Sequence, residues 1–147
     1  MPASGISLVD ANVWLALAVD AHVHHQTAMN WFAGQAESTC AFCRLTQLAL
    51  LRHLTNPKIM DSANVQTQNQ AWGVYDAFVS DPRVIYLEEP AGLTATFKAL
   101  TRGSRPAHKD WSDAFLASFA ICSGLEVVRF DADFTRFRNL TLRRLHV

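Results

Sequence analysis

Short apolar runs of strand length alternate along this chain with longer segments of helical periodicity. Ile6-Ser7-Leu8-Val9 is the first such run, ends at Asp10, and is followed by helical composition from Ala11 to Val19. Ala21 to Ala36 predicts a second helix, with Ala28, Trp31, Phe32 and Ala36 turned inward and a stop near Gly34. Thr39 to Phe42 is a weaker strand, and the Leu-rich stretch Thr46 to Leu54 is a helix closed by Asn56-Pro57. Asn64 to Val79 predicts a long helix with Trp72, Tyr75 and Val79 on one stripe, ended by Asp81-Pro82. Val84-Ile85-Tyr86-Leu87, β-branched and bounded by prolines, is the clearest strand, and Leu93 to Leu100 is a short helix. Trp111, Phe115, Ser118, Phe119 and Cys122 recur at helical spacing up to Gly124. Glu126 to Phe130 and Leu142 to Leu145 complete the strands. Strands alternating with helices imply an α/β fold, with a mainly parallel sheet covered on both faces.

The chain has 147 residues, half of them hydrophobic, so one domain over 1–147 with a sizeable core is expected, and general disorder is excluded. Thirteen Lys and Arg balance thirteen Asp and Glu, and net charge alone names no polyanionic partner. The N-terminal residues carry no Lys or Arg, and Asp10 breaks the first apolar run, unlike a signal peptide. The longest wholly apolar stretch, Val13 to Val19, is far short of the ~20 residues that span a bilayer. Three cysteines do not make a disulfide framework. Cys40 and Cys43 lack a second ligand pair for zinc and read as buried, reduced thiols. These features point to the cytoplasm and away from a membrane.

In parallel α/β folds ligands bind at the carboxyl ends of the strands, near a switch in strand order, which singles out acids just after strands. Asp10 ends the first strand, Asp131 follows the fourth with Asp133 two residues on, and Asp113 opens the helix before the fourth. Each has a plain structural role available. Asp10 suits a helix N-cap, Asp110 and Asp113 resemble a capping box, and Asp131 and Asp133 suit Asx-turns. Against that, Ala114 to Cys122 is apolar almost all round, so its helix is expected to be buried with Asp113 at its mouth. Convergent carboxylates repel unless neutralised, and oxygen-only ligands suit Mg²⁺ or Mn²⁺. The combination favours a metal site.

Carboxylate-bound Mg²⁺ in such folds mostly serves phosphate chemistry. Between Phe97 and Asp110 stand Lys98, Arg102, Arg105 and Lys109 without an acid; from Phe134 onward stand Arg136, Arg138, Arg143 and Arg144, again without one. Basic flanks around an acidic centre suit a polyphosphate substrate held by its backbone. His22, His24 and His25 near Asp20 have no aligned second cluster and read as structural. Ser112 has no evident triad partners, and no phosphate-binding glycine pattern occurs.

Leu8-Val9-Asp10-Ala11-Asn12-Val13, Asp113-Ala114-Phe115-Leu116-Ala117 and Phe130-Asp131-Ala132-Asp133-Phe134 resemble the motifs of PIN-domain proteins. More narrowly, the chain resembles the VapC-type ribonuclease toxins of bacterial toxin–antitoxin pairs. Asp20, His24, His25 and Ala28, with Leu51-Arg52-His53-Leu54-Thr55-Asn56-Pro57, resemble the branch abundant in mycobacteria. The resemblance covers essentially the whole chain, in order. It implies a three-layer α/β/α sandwich, Mg²⁺-dependent endonucleolytic cutting of structured RNA (transfer or ribosomal), a homodimer, and inhibition by a small VapB-type antitoxin. By position, Asp10, Asp113 and Asp131 fall on the metal-binding acids and Asp133 on an accessory acid, with Asn12 and Asp110 as supporting neighbours.

Two departures from that pattern bear on the chemistry. Gln47 stands where the family often has Glu, offering an amide oxygen without charge and implying weaker metal binding or a rearranged site. Arg129 stands where Thr or Ser is common; it either aids phosphate binding or pairs with an acid and competes with metal. The leading expectation is an endoribonuclease in which Asp10, Asp113 and Asp131 hold the ion, Asp133 assists, and Arg102, Arg105, Lys109, Arg129 and Arg136 hold RNA. The alternative is a PIN-like module that binds RNA or antitoxin without cutting. A phosphoacceptor role for Asp10 ranks last, because Lys58, Lys98 and Lys109 all fall outside the expected strands.

Overall fold

A computed structural model describes residues 5–131 and 133–146, the side chains of Asp133 and Thr135 excepted. In chain order the elements are β1 (Ser7–Val9), α1 (Ala11–Ala18), α2 (His25–Ala33), β2 (Cys40–Phe42), α3 (Arg44–Leu54), α4 (Gln68–Val79) and β3 (Val84–Tyr86). There follow α5 (Leu93–Leu100), α6 (Trp111–Ser123), β4 (Glu126–Arg129), a 3₁₀ turn (Asp133–Arg136) and β5 (Thr141–Arg144). The five strands form one parallel sheet in the order β3-β2-β1-β4-β5. The order runs outward from β1 to β3, then reverses to the other side of β1 with β4. The carboxyl ends of β1 and β4 therefore flank the switch point.

The sheet's pleat divides the core in two. Val9, Cys40, Phe42, Val84 and Val128 face one side, where they pack with side chains of α1 to α4. Leu8, Ala41 and Val127 face the other and pack with Leu93 of α5 and Leu116, Phe119 and Ala120 of α6. Register supports the division, since Leu8 lies opposite both Ala41 and Val127 on its neighbours. Helices on both faces make this the three-layer α/β/α arrangement. Fully buried Trp14 anchors the first layer, its ring stacked on Phe42 at a centroid distance of 4.0 Å. In the second, α6 has buried residues round most of its circumference, as its apolar composition leads one to expect. It stops where Gly124 adopts φ +67°, a left-handed conformation glycine enters without a Cβ penalty.

Several element limits differ from the sequence expectation, each for a local reason. Helix α2 begins at His25, because the preceding histidines form turns in which His22 Nδ1 accepts the His24 N–H at 3.0 Å. Helix α4 begins at Gln68. Asp61 captures the N–H groups of Ala63 and Asn64 in a turn, and Thr67 with Gln70 then forms a reciprocal cap. Of the expected stripe Tyr75 is buried, together with Ala71, while Trp72 and Val79 are exposed. Cys40 and Cys43 are buried free thiols, and burial pushes Cys40 up to about 11, far from the reactive thiolate range. His25 Nδ1 pairs with the Ala16 carbonyl at 2.7 Å, tying α2 to α1, in keeping with a structural role.

Candidate functional site

Asp10 is the residue at which β1 turns into α1. Its N–H donates to the Val128 carbonyl at 2.9 Å, locking it beside β4. Its Oδ1 accepts the Ala11 N–H at 2.8 Å, so the capping role is real. The cap uses one oxygen only; Oδ2 looks across the sheet edge at the Arg129 Nε, 3.7 Å away.

Arg129 closes β4, and its side chain is only 8% exposed. Among the described residues three carboxylates surround it. Besides Asp10, Asp113 from the first turn of α6 lies 3.6 Å from Nη1, and Asp131 lies 3.9 Å from Nη2. The guanidinium carbon sits 3.9 Å from the centroid of the Phe134 ring. Each of these ion pairs is longer than a hydrogen bond, and neither Nε nor Nη1 has a hydrogen-bond partner among the described residues. Burial pushes the Asp10 carboxyl above the ordinary carboxylate range, and the charges of Asp113 and Asp131 add to this. Arg129 and the Ala11 N–H oppose it without cancelling it.

A second arginine carries the basic character outward. Arg136 Nη2 lies 3.6 Å from Asp113 and 3.8 Å from Asp110, with its guanidinium over Phe137. Asp110 makes no side-chain cap on α6, so the expected capping box is not formed. Beside the acids is a cleft of about 240 Å³ lined by Asp10, Asn12, Thr46, Ser112, Asp113 and Arg129, with Arg52 and His53 from α3. A larger cavity of about 650 Å³ adjoins Asp110 and is lined by Arg105, Trp111, Arg136, Phe137 and Arg138.

The structure thus brings Asp10, Asp113, Asp131 and Arg129 together, with Asp110 and Arg136 at the rim and Asn12 in the cleft wall. The side chain of Asp133 lies outside the described residues. Arg102 and Lys109 are exposed in the α5–α6 connection and line neither cavity. Of the two roles expected for Arg129, the structure shows the pairing with acids; Arg129 also lines the cleft. Gln47 is buried, but its Oε1 takes the Arg44 Nη1 at 2.6 Å and it does not line the cleft. Arg52, His53 and Ser112 were not expected as site residues. The first two belong to the segment that carried the mycobacterial-type resemblance, and their place at the end of α3 is a tertiary fact. Burial and the neighbouring Arg52 charge lower the His53 pKa, which favours a neutral ring at pH 7.

The fold and this edge define a class: an α/β/α protein whose acids gather at the strand-order switch, where Asp10 and Asp131 follow adjacent parallel strands. A PIN-domain family model matches residues 7–140, and the chain belongs to that family, within its VapC branch. It is 41% identical over 142 residues to ribonuclease VapC41 of Mycobacterium tuberculosis, covering 94% of this chain and 97% of that one. Ribonuclease VapC38 of the same organism is 30% identical over 134 residues, 86% of each chain. In fold it is similar to VapBC2 from Rickettsia felis, solved bound to a promoter DNA fragment. That TM-score is 0.65 at 17% identity, over 95% of this chain and 98% of that one.

Whether this centre suits a divalent ion is answered by its donors and its charge. The donors are carboxylate oxygens, the type that hard cations prefer. Among the described residues four acids, Asp10, Asp110, Asp113 and Asp131, face two arginines, Arg129 and Arg136, and the Asp10 pKa is raised first by burial and then by the charges of Asp113 and Asp131. In both respects the residues fit Mg²⁺ or Mn²⁺. The acids face the guanidinium rather than one another, and no group of three or more His, Cys, Asp or Glu among the described residues is arranged to hold an ion as it stands.

Proposed function

We propose that this protein is a metal-dependent endoribonuclease toxin that cuts structured RNA, transfer or ribosomal, and is inhibited by a VapB-type antitoxin. The observation that carries the reading is the meeting of Asp10, Asp113 and Asp131, from three separate elements, at the switch point of a parallel sheet. The ribonuclease names of VapC41 and VapC38 support it. The VapBC complex among its fold neighbours motivates the antitoxin.

In this reading Asp10, Asp113 and Asp131 hold Mg²⁺, for which Mn²⁺ can substitute. The bound ion would supply an activated water and offset charge on the phosphodiester. Asp10 is fixed for its task by its cap on Ala11 and its backbone bond to Val128. Asp113 is carried by the rigid, buried helix α6, and Asp133 assists as the accessory acid. Arg105 and Arg136, lining the adjoining cavity with exposed Trp111, hold the RNA backbone beside the acids. The whole chain, 1–147, acts as one domain and as a homodimer in the cytoplasm. Among the described residues no helix is long and apolar enough to cross a membrane.

The test is incubation of purified protein with total bacterial RNA in Mg²⁺ or in EDTA, beside an Asp10→Asn variant shown to be folded. Discrete fragments that need both the ion and Asp10 are expected. Full cleavage by Asp10→Asn would overturn the assignment. One observation favours a second reading, a module that binds without cutting: Arg129 already sits among the acids. Absence of cleavage in Mg²⁺ and in Mn²⁺, from folded, antitoxin-free protein, would establish that reading instead.

A further inference from the structure

We infer that Arg129 is a built-in counter-ion that occupies the acid centre in the metal-free protein and opposes the entry of a divalent cation. The inference rests on the nuclease reading, since it concerns the same acids.

An arginine at the end of a central strand, 8% exposed, is tolerated only where its charge is compensated. Here three carboxylates compensate it, at 3.7, 3.6 and 3.9 Å. The manner of holding is unusual for arginine, which ordinarily grips carboxylates through paired short hydrogen bonds. Among the described residues Nε and Nη1 have no such bonds, and the plane rests on the Phe134 ring. At Nε and Nη1 Arg129 is thus held by the field of the acids, and its plane by stacking. Such contacts tolerate a shift of the guanidinium along the ring better than a bidentate fork does, and the 240 Å³ cleft it lines gives it room to move.

A divalent ion placed among the same three acids meets the guanidinium as a like charge at contact range. The ion must push it aside or bind against its repulsion, and either lowers affinity. The same charge stabilises the metal-free fold, because without it three carboxylates would face one another at a partly buried edge. Arg129 thereby trades tight metal binding for an acid centre that survives without metal.

The experiment is calorimetric titration of the full chain with Mn²⁺ after EDTA treatment, with thermal unfolding in EDTA and in Mn²⁺. The proteins compared are wild type, Arg129→Met and Arg129→Lys. Methionine keeps an unbranched chain that packs on Phe134, and lysine keeps the charge. Arg129→Met is expected to bind Mn²⁺ about tenfold tighter or more, to melt lower in EDTA, and to regain the loss with Mn²⁺. Arg129→Lys is expected to stay near wild type. Equal or weaker Mn²⁺ binding by Arg129→Met would overturn the inference.

Should Arg129→Met fail to fold in EDTA, the wild type decides. Its Arg129 Nε–H resonance, identified by its loss in Arg129→Lys, is expected to shift and exchange faster with solvent as Mg²⁺ is added. A resonance unmoved at saturating Mg²⁺ would overturn the inference. RNA cleavage measured alongside separates the two ideas. Equal Mn²⁺ affinities with RNA cleaved would sink the counter-ion alone; tighter binding by Arg129→Met with no cleavage by either protein would sink the nuclease alone.

Discussion

Replacing Asp10 by Asn should abolish cleavage, and the geometry says it should do so without cost to the metal-free fold. Asparagine keeps an oxygen for the Ala11 N–H, so the cap on α1 survives. What is lost is the attraction between Asp10 and Arg129. At 3.7 Å that amounts to about 4.5 kcal/mol at an effective dielectric of roughly 20. Three terms run the other way. Asp113 and Asp131 flank the same guanidinium, so each lies within roughly 10 Å of Asp10 and repels it by about 2 kcal/mol on the same scale. The third is the desolvation of a buried carboxylate, several kcal/mol after relaxation in typical cases. The opposing terms exceed the attraction, in keeping with an Asp10 pKa raised above 3.8.

Asp10→Asn is therefore expected to stabilise the metal-free protein by about 1 kcal/mol or more at neutral pH, measured by urea unfolding in EDTA. Arg129 retains Asp113 and Asp131 in the variant, so no buried charge is orphaned. The sign has a pH signature. A carboxyl whose folded pKa is raised penalises the fold above that value, and the penalty fades as pH falls towards 3.8. The variant's advantage should shrink on acidification. A loss of about 1 kcal/mol or more at pH 7 would refute this reasoning and show that the ion pair dominates the site.

Other outcomes test other parts of the molecule. Trp14→Ala, which removes a fully buried ring stacked on Phe42, should cost about 3–5 kcal/mol in urea unfolding; a loss below about 1 kcal/mol would show that the first layer repacks freely. Hydrogen bonds from Arg83 hold the Asp81 carboxyl down at about 2, so this pair helps the fold above 3.8 and the help is lost as pH falls through about 2. Asp81→Asn should flatten that part of the acid limb of thermal stability, by less than about 1 kcal/mol because the pair is at the surface. Gln47→Glu should leave Mn²⁺ affinity within about twofold, since its oxygen is taken by Arg44 and the new charge would pair there; a clear tightening would put position 47 in the metal site. In an Asp10→Asn background, Arg136→Ala should weaken RNA binding and lower the logarithmic salt slope by about one, and an unchanged slope would remove Arg136 from the RNA path.

The alternation of strand-length and helix-length segments was enough to anticipate a parallel sheet with helices on both faces, because periodicity reports which faces are buried. It also placed Asp10 and Asp131 at strand ends and Asp113 at a helix mouth, and so at one edge of the sheet. Element limits were less legible wherever a side chain competed for the backbone. His22 and Asp61 each take N–H groups that a continuing helix would have used, and composition does not announce that competition. The stripe on α4 held at Tyr75 and failed at its other two positions for a different reason. Trp72 and Val79 are apolar but exposed, and which of several apolar faces is buried depends on the neighbouring α3, not on α4 itself.

The centre of the site was the least legible part, because it depends on where one side chain points. Arg129 follows Val127 and Val128 in β4, and by the period of two it shares the sheet face of Val127, the face on which Phe134 packs. The alternation is in the sequence. Its direction beyond the end of the strand is set by the three acids and by Phe134, which meet only once β1, β4, α6 and the 3₁₀ turn have packed. An arginine for which the sequence left both phosphate binding and acid pairing open thus becomes the cation around which the acids are organised. Gln47 illustrates the same limit in reverse: its position in the chain suggested a metal-facing role, while its oxygen is engaged by Arg44 one helical turn away. Position along an element predicts which edge of the fold a group reaches. Which charge it meets there is decided by the tertiary field, and in this protein that field places a positive charge where the chemistry calls for another.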